Sequence, residues 1–226
     1  MRSFLLSCLL VLSSPVWAQQ YVPEQKVQTP NIQVVVLNRD FVKYETPKRK
    51  TPSKHPQVEV LYFYYYGSPA AYKIDRSLRQ WAQTRPYMLK FTPVPIYFDD
   101  NPFAQFGARI HYALQAIGEE QRISPLFMEA VHTKRVNLND MSSVLEWMEN
   151  RDVNMKKFME AINSKENKSS VRALPLVARR YNITSTPAIV IDGEYLIALH
   201  GKRTPEHVLA VSQFMADKLS EGGKRP

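Results

Sequence analysis

The stretch Val58–Tyr72, VEVLYFYYYGSPAAY, reads as a strand, a tight turn and the start of a helix. From Val58 to Tyr66 it is an apolar, aromatic run of β-formers that stops abruptly at Gly67-Ser68-Pro69. A run of this kind closed by a breaker is the pattern of a strand buried on both faces. Pro69 has no N–H to lose in the first turn of a helix, and its fixed φ suits that place. Ser68, just before it, is a natural N-cap. The pattern predicts a helix from about Pro69 to about Gln83, with Ile74, Leu78 and Trp81 turned toward the sheet. A strand's C-terminal end beside a helix's positive N-terminus is where many α/β proteins keep their chemistry.

The chain starts with a basic Met1-Arg2, an apolar core from Phe4 to Leu12, and a small residue, Ala18, before Gln19-Gln20. That is the pattern of a secretory signal peptide cut after Ala18, and its apolar part is too short to span a membrane. A lipoprotein signal at Leu5-Leu6-Ser7-Cys8 competes with it but leaves almost no apolar core. Cys8 is the single cysteine. Cleavage after Ala18 leaves a mature chain with no disulfide, no thiolate metal site and no thiol exchange. The whole chain carries 30 Lys+Arg against 21 Asp+Glu, a net charge of +9, and +8 once Arg2 has left with the signal. Clusters at Lys48-Arg49-Lys50 and Arg179-Arg180 fit either contact with an anionic membrane surface or acidic partner, or the solvated face of a basic periplasmic protein. No nucleic-acid motif is present.

After a polar arm, Ile32 to Leu37 and Phe41 to Tyr44 read as short β segments, and Thr46 to Pro56 as a Pro- and Lys-rich connection. Met88 to Phe98 reads as a strand, with Pro93 and Pro95 pointing to one-sided pairing. Helices are expected from Ala104 to Ile117 ending at Gly118, from Pro125 to His132, from Asn139 to Met148, from Asn154 to Asn163, and from Val171 to Tyr181 with Pro175 near its first turn. Ala188 to Ile191, Asp192-Gly193 and Tyr195 to Leu199 read as a hairpin. Thr204-Pro205-Glu206 starts a last helix that runs to about Leu219.

The aromatic strand, the four-residue turn with proline second, the following Tyr72 and the helix resemble the active-site element of the DsbA family, periplasmic thioredoxin-fold dithiol oxidants. Thr186-Pro187 before the hairpin matches the place of that superfamily's cis-proline, which faces the turn. The resemblance covers about Asp40 to Leu219 and implies an α/β, thioredoxin-like fold with a helical domain inserted. Its implied organisation is a signal peptide over 1–18, an arm and first strand or strands over 19–56, a first thioredoxin-like part over 57–102, a helical insertion over 103–165, a second thioredoxin-like part over 166–221, and a disordered tail over 222–226. The family's turn reads Cys-Pro-His-Cys. Here it reads Ser68-Pro69-Ala70-Ala71, so both thiol positions, Ser68 and Ala71, are degenerate.

Three functions follow. A redox-inactive DsbA-like scaffold would hold extended polypeptide, or assist envelope or secretion assembly, between Ser68-Pro69 and Thr186-Pro187. In the family the backbone just before the cis-proline pairs with an incoming chain like an added strand. Tyr66 and Tyr72 are the neighbouring side chains expected to touch it. Alternatively, Ser68-Pro69 is similar to the Ser-Pro turn of glutathione-dependent kappa transferases and hydroxychromene-carboxylate isomerases, where the serine meets the thiol. A nucleophilic serine needs a base, however, and no histidine is near it in sequence. The third reading is a structural component of an envelope assembly. His55, His111, His132, His200 and His207 show no metal-ligand spacing, and adjacent Asp99-Asp100 point apart on a strand. Neither a metal nor a cofactor is expected.

Overall fold

The computed structural model describes residues 39–46, 57–98, 102–199, 201 and 203–221. Outside them lie the segment expected to be a signal peptide, with Cys8, the strand expected at Ile32 to Leu37, the cluster at Lys48-Arg49-Lys50, His55, Asp99-Asp100, His200 and the C-terminal tail. The order of elements is β1 Val42–Lys43, β2 Val58–Tyr64, α1 Pro69–Gln83, β3 Leu89–Pro95, α2 Pro102–Ala116, α3 Glu120–His132, α4 Met141–Glu149, α5 Met155–Asn163, α6 Lys165–Arg180, β4 Ala188–Ile191, β5 Tyr195–Ala198 and α7 Pro205–Ser220. The fold is the expected thioredoxin-like one, a mixed sheet in the order β1-β5-β4-β2-β3 with seven helices among the described residues.

Strand β2 is central, parallel to β3 and antiparallel to β4. Its side chains alternate between two cores, as a period of two dictates. Val58, Val60, Tyr62 and Tyr64 pack with Ile74 and Leu78 of α1 and with Val208 and Leu209 of α7. Leu61 and Phe63 meet Ala178, Tyr181 and Val190 on the opposite face. Burial of each such large side chain is worth roughly 1.5–3 kcal/mol, which holds the sheet together without any cross-link.

The hairpin closes as its Asp-Gly signal requires. Asp192 and Gly193 have φ of 54° and 64°, and the Glu194 amide donates to the Ile191 carbonyl at 2.9 Å. Positive φ at both central residues is the turn that matches strand twist.

Strand β3 is an edge, which explains its prolines. Residues of a strand alternate in which neighbour they bond. The Met88 carbonyl accepts from Val58, and the Ile96 amide donates to Tyr64 at 2.8 Å. Even-numbered residues therefore face β2, and Pro93 and Pro95 occupy positions whose N–H would point off the sheet. The ladder loses nothing, and the open edge has almost no donor.

Two helix starts differ from expectation, both at prolines. The second helix begins at Glu120, not Pro125, so Pro125 lies inside it. The Arg79 guanidinium draws the Glu120 carboxylate in at 2.9 Å, and Tyr66 binds Ser124 at 2.6 Å, so tertiary contacts extend the helix upstream of the proline. Likewise α6 begins at Lys165, not Val171, with Pro175 well inside. Ser164 caps it by accepting from the Asn167 amide at 3.0 Å, and Asn167 Nδ2 donates to the Arg109 carbonyl of α2 at 2.9 Å. The polar run from Lys165 to Ser170 carries no apolar periodicity to announce this turn.

Candidate functional site

The turn after β2 is built by its serine. Ser68 is 7% exposed; its Oγ accepts from the Ala71 amide at 3.2 Å and caps α1, as predicted. The same hydroxyl donates to the Thr186 carbonyl at 3.4 Å. The Thr186–Pro187 bond is cis, so the loop before β4 lies against the turn. The structure thus brings Ser68, Pro69, Thr186 and Pro187 together across 118 residues of sequence. Pro69 is exposed, Thr186 half-buried and Pro187 buried. Among the described residues no hydrogen bond is made by the Thr186 amide.

Tyr72 stands at the surface, 37% exposed. Tyr66 does not. It is 1% exposed, its hydroxyl is bound to Ser124, and its ring packs edge-on against Tyr64 and Phe127. Tyr66 is core, and its expected contact with an incoming chain is withdrawn. Tyr65 does not continue the alternation of β2 and packs against the same core as Tyr64 and Tyr66. The strand ends at Tyr64, the period of two lapses, and Tyr65 folds back over Gly67. A Cβ at Gly67 would lie 2.0 Å from the Tyr65 hydroxyl, so a larger residue there would push the Tyr65 ring aside.

Histidine 132 is the residue that sequence reasoning missed. Its Nε2 donates to the Tyr66 carbonyl at 2.9 Å, and its ring stacks on Tyr72 with centroids 4.6 Å apart. Burial lowers its pKa, and the bond to the Tyr66 carbonyl works against that shift. No signal in the sequence joins residues 66 positions apart. Its bond goes to a backbone carbonyl, not to Ser68, and among the described residues no histidine or carboxylate bonds the Ser68 hydroxyl.

Beneath the turn lies a buried polar cluster. Arg79 Nε binds the Asp75 carboxylate at 3.0 Å one helical turn earlier, and Nη1 binds Glu120 on α3 at 2.9 Å. Burial opposes the Arg79 charge, but Asp75, Tyr64 and Glu120 outweigh it and raise the pKa above the usual guanidinium value. Nδ1 of His111 on α2 and the Tyr64 hydroxyl share a hydrogen bond at 2.9 Å. Burial, aided by the Arg79 charge, pushes the His111 pKa down to about 3. The imidazole is therefore neutral near pH 7. Beside the turn, on the helical side, a cleft of about 460 Å³ opens between Tyr65, Gly67, Phe103 and the α3–α4 connection.

The family model described as the DSBA-like thioredoxin domain matches residues 46–211. The chain belongs to the DSBA-like thioredoxin family. A Burkholderia cepacia member, thiol:disulfide interchange protein DsbA, is 27% identical over 154 residues, covering 67% of this chain and 72% of that protein. An uncharacterized protein of Haemophilus influenzae is 25% identical over 232 residues, covering 100% of this chain and 97% of its own length. Among solved structures, DsbA of Xylella fastidiosa superimposes with a TM-score of 0.70 at 21% identity, over 81% of this chain and 97% of that one. DsbA of Pseudomonas aeruginosa gives 0.67 at 22%, over 79% and 91%. Against that DsbA-like frame, Ser68 and Ala71 stand at the two thiol positions of the turn, and neither can attack a disulfide.

Proposed function

We propose that this chain is an exported, redox-inactive DsbA-like protein that binds extended polypeptide across the turn Ser68-Pro69 and the loop Thr186-Pro187. The observation that carries the reading is the backbone of Thr186. Its amide has no hydrogen bond among the described residues, and its carbonyl carries only the long bond from Ser68 at 3.4 Å. A half-buried donor and acceptor side by side form a pairing site for a strand, and pairing of that kind needs no sulfur. Tyr72 supplies exposed aromatic surface beside it. The β3 edge is a poor rival, because Pro93 and Pro95 remove two of its outward donors. A client would be an unfolded periplasmic chain or an envelope or secretion-system protein, and the basic surface favours acidic segments or lipid headgroups.

A glutathione-dependent enzyme is not favoured. The Ser68 hydroxyl is spent on the Ala71 amide and the Thr186 carbonyl, and among the described residues no base bonds it.

The test is binding of unfolded model peptides by fluorescence anisotropy, with amide exchange measured at Thr186. Peptide binding should protect that amide, and N-methylation of one backbone nitrogen in the bound register should weaken binding at least tenfold. Ser68→Ala should still bind, whereas a serine-dependent enzyme would lose its activity. Absence of binding by the wild-type chain, or indifference to N-methylation at every position, overturns the reading.

A further inference from the structure

The cleft beside the turn carries features that peptide pairing at Thr186 does not use. Its lining includes the apolar side chains of Phe103, Val131, Val136 and Leu138 and the Tyr65 ring, together with Asn137 and Asn139. Phe103 is 43% exposed at the first turn of α2. Among the described residues that line the cleft none is acidic, and the charged one is Lys134. Lys134 is exposed and makes no ion pair among the described residues.

The conformation of Lys134 is the second observation. It has φ of 58°. Among the described residues, the other non-glycine residues with positive φ are Asp152, Asn182 and Asp192, the types that tolerate this region. Lysine does not share that tolerance. Lys134 follows the C-cap of α3, where the Arg135 amide donates to the Ala130 carbonyl at 2.9 Å and the Lys134 amide to Val131 at 3.3 Å. That is a Schellman ending, and its left-handed position is normally glycine. A strained residue at the rim of a cleft leads from the outlier to a function.

Resting on the peptide reading above, we propose that this cleft is a side-chain subsite for an acidic-apolar peptide: the apolar lining takes an aromatic or large aliphatic side chain, and Lys134 pairs with an Asp or Glu side chain next to it in the bound segment. Gly67 lines the cleft and Ser68 touches the Thr186 carbonyl, so the subsite and the pairing site are joined by consecutive residues of one turn. An extended segment advances about 3.3 Å per residue, so a few residues span from one to the other. The Lys134 ammonium at the rim selects the anion, and the volume of about 460 Å³ admits a whole ring.

The probes are two peptides, a blocked Asp-Phe dipeptide amide and a longer extended peptide containing Asp-Phe, each paired with its Asn-Phe and Asp-Ala counterparts. Binding is read by anisotropy and by NMR shifts of the Leu138 and Val136 methyls and of the Thr186 amide. The wild-type chain should prefer Asp-Phe to either counterpart by about tenfold. Lys134→Gly suits the backbone, so its melting temperature should stay or rise while the Asp-over-Asn preference disappears. Gly67→Ala should displace Tyr65 and weaken the Phe-over-Ala preference. If the longer peptide shifts Thr186 but leaves Leu138 and Val136 unmoved, or if stable Lys134→Gly keeps the preference for Asp, the subsite is wrong and the pairing site stands. If the dipeptide shifts the cleft methyls and no peptide reaches Thr186, the pairing site is wrong and the subsite stands. Silence at both places overturns both.

Discussion

The first turn of α1 and the stretch from Asp75 to Arg79 make opposite use of polar groups. At Ser68 to Ala71 the polar atoms are few, and they are spent on a helix cap and a contact to the neighbouring loop. Further along the same helix, two carboxylates share one buried guanidinium, with His111 and Tyr64 beside them, and Glu120 comes from the helical region. Arg79 Nη2 is buried without a hydrogen-bond partner among the described residues, so the assembly holds through its charged pairs. The contrast teaches that the shape of the turn and the chemistry of the turn are separate properties. Packing and buried ion pairs hold the shape, and thiols at Ser68 and Ala71 are not needed for it.

If shape and chemistry are separable, chemistry can be put back. Ser68→Cys with Ala71→Cys should convert a protein with no thiol in the turn into one that closes a disulfide under mild oxidant. The thiol at position 68 should titrate below the usual value near 8.5, because it sits at a helix N-terminus. Thiol counting and a pH titration of alkylation rate check both. A folded double variant that stays reduced would show that the turn is not shaped for a disulfide.

The buried pairs should be costly to break from one side. Arg79→Met leaves Asp75 and Glu120 without their cation and should destabilise the fold by about 3–5 kcal/mol in urea unfolding. A loss under 1 kcal/mol would mean that the cluster is not what fastens α1 to α3.

His111 makes the same point through pH. An unfolded histidine takes its proton near pH 6.5, whereas the folded one resists until about 3. Between those values the unfolded chain binds the extra proton, so acid favours unfolding. The stability due to the neutral ring is fully present above 6.5 and is lost as pH falls toward 3, by up to about 1.4 kcal/mol per unit. The difference between wild-type and His111→Gln stability curves should contain that slope, and parallel curves would remove His111 from the account.

The smallest effect belongs to the turn itself. Ser68→Ala removes a cap and should cost about 1 kcal/mol, read as a shift in urea midpoint at constant m. A cost as large as that of Arg79→Met would abolish the contrast between the two halves of the helix.

Local signals were legible in the sequence and long-range ones were not. Ser68-Pro69, Asp192-Gly193 and Thr204-Pro205 each state a backbone geometry through neighbouring residues, and each sits where its chemistry places it. Pro125 and Pro175 are equally loud signals, but a local rule puts them at helix starts, and contacts from Arg79 and Arg109 override it. Tyr66 shows the limit for a site. Its position beside the turn follows from sequence, but its burial is decided by Ser124 and Phe127, far along the chain. His132 and Lys134 are invisible for the same reason: one needs Tyr72 across the fold, the other a backbone angle.

The edge of β3 has a further consequence. A protein that offers its backbone to unfolded chains spends its life among exposed strands, and any open sheet edge of its own is a template for aggregation. Pro93 and Pro95 silence that edge without charge and without shortening the strand. On the proposed reading, they leave the chain able to collect other polypeptides while being a poor seed for self-association. Replacing both with Thr would restore two outward N–H groups, and a gain in light scattering on mild heating, with the monomer's circular dichroism unchanged, would show that a proline pair in an edge strand is this protein's safeguard against stacking on its own copies.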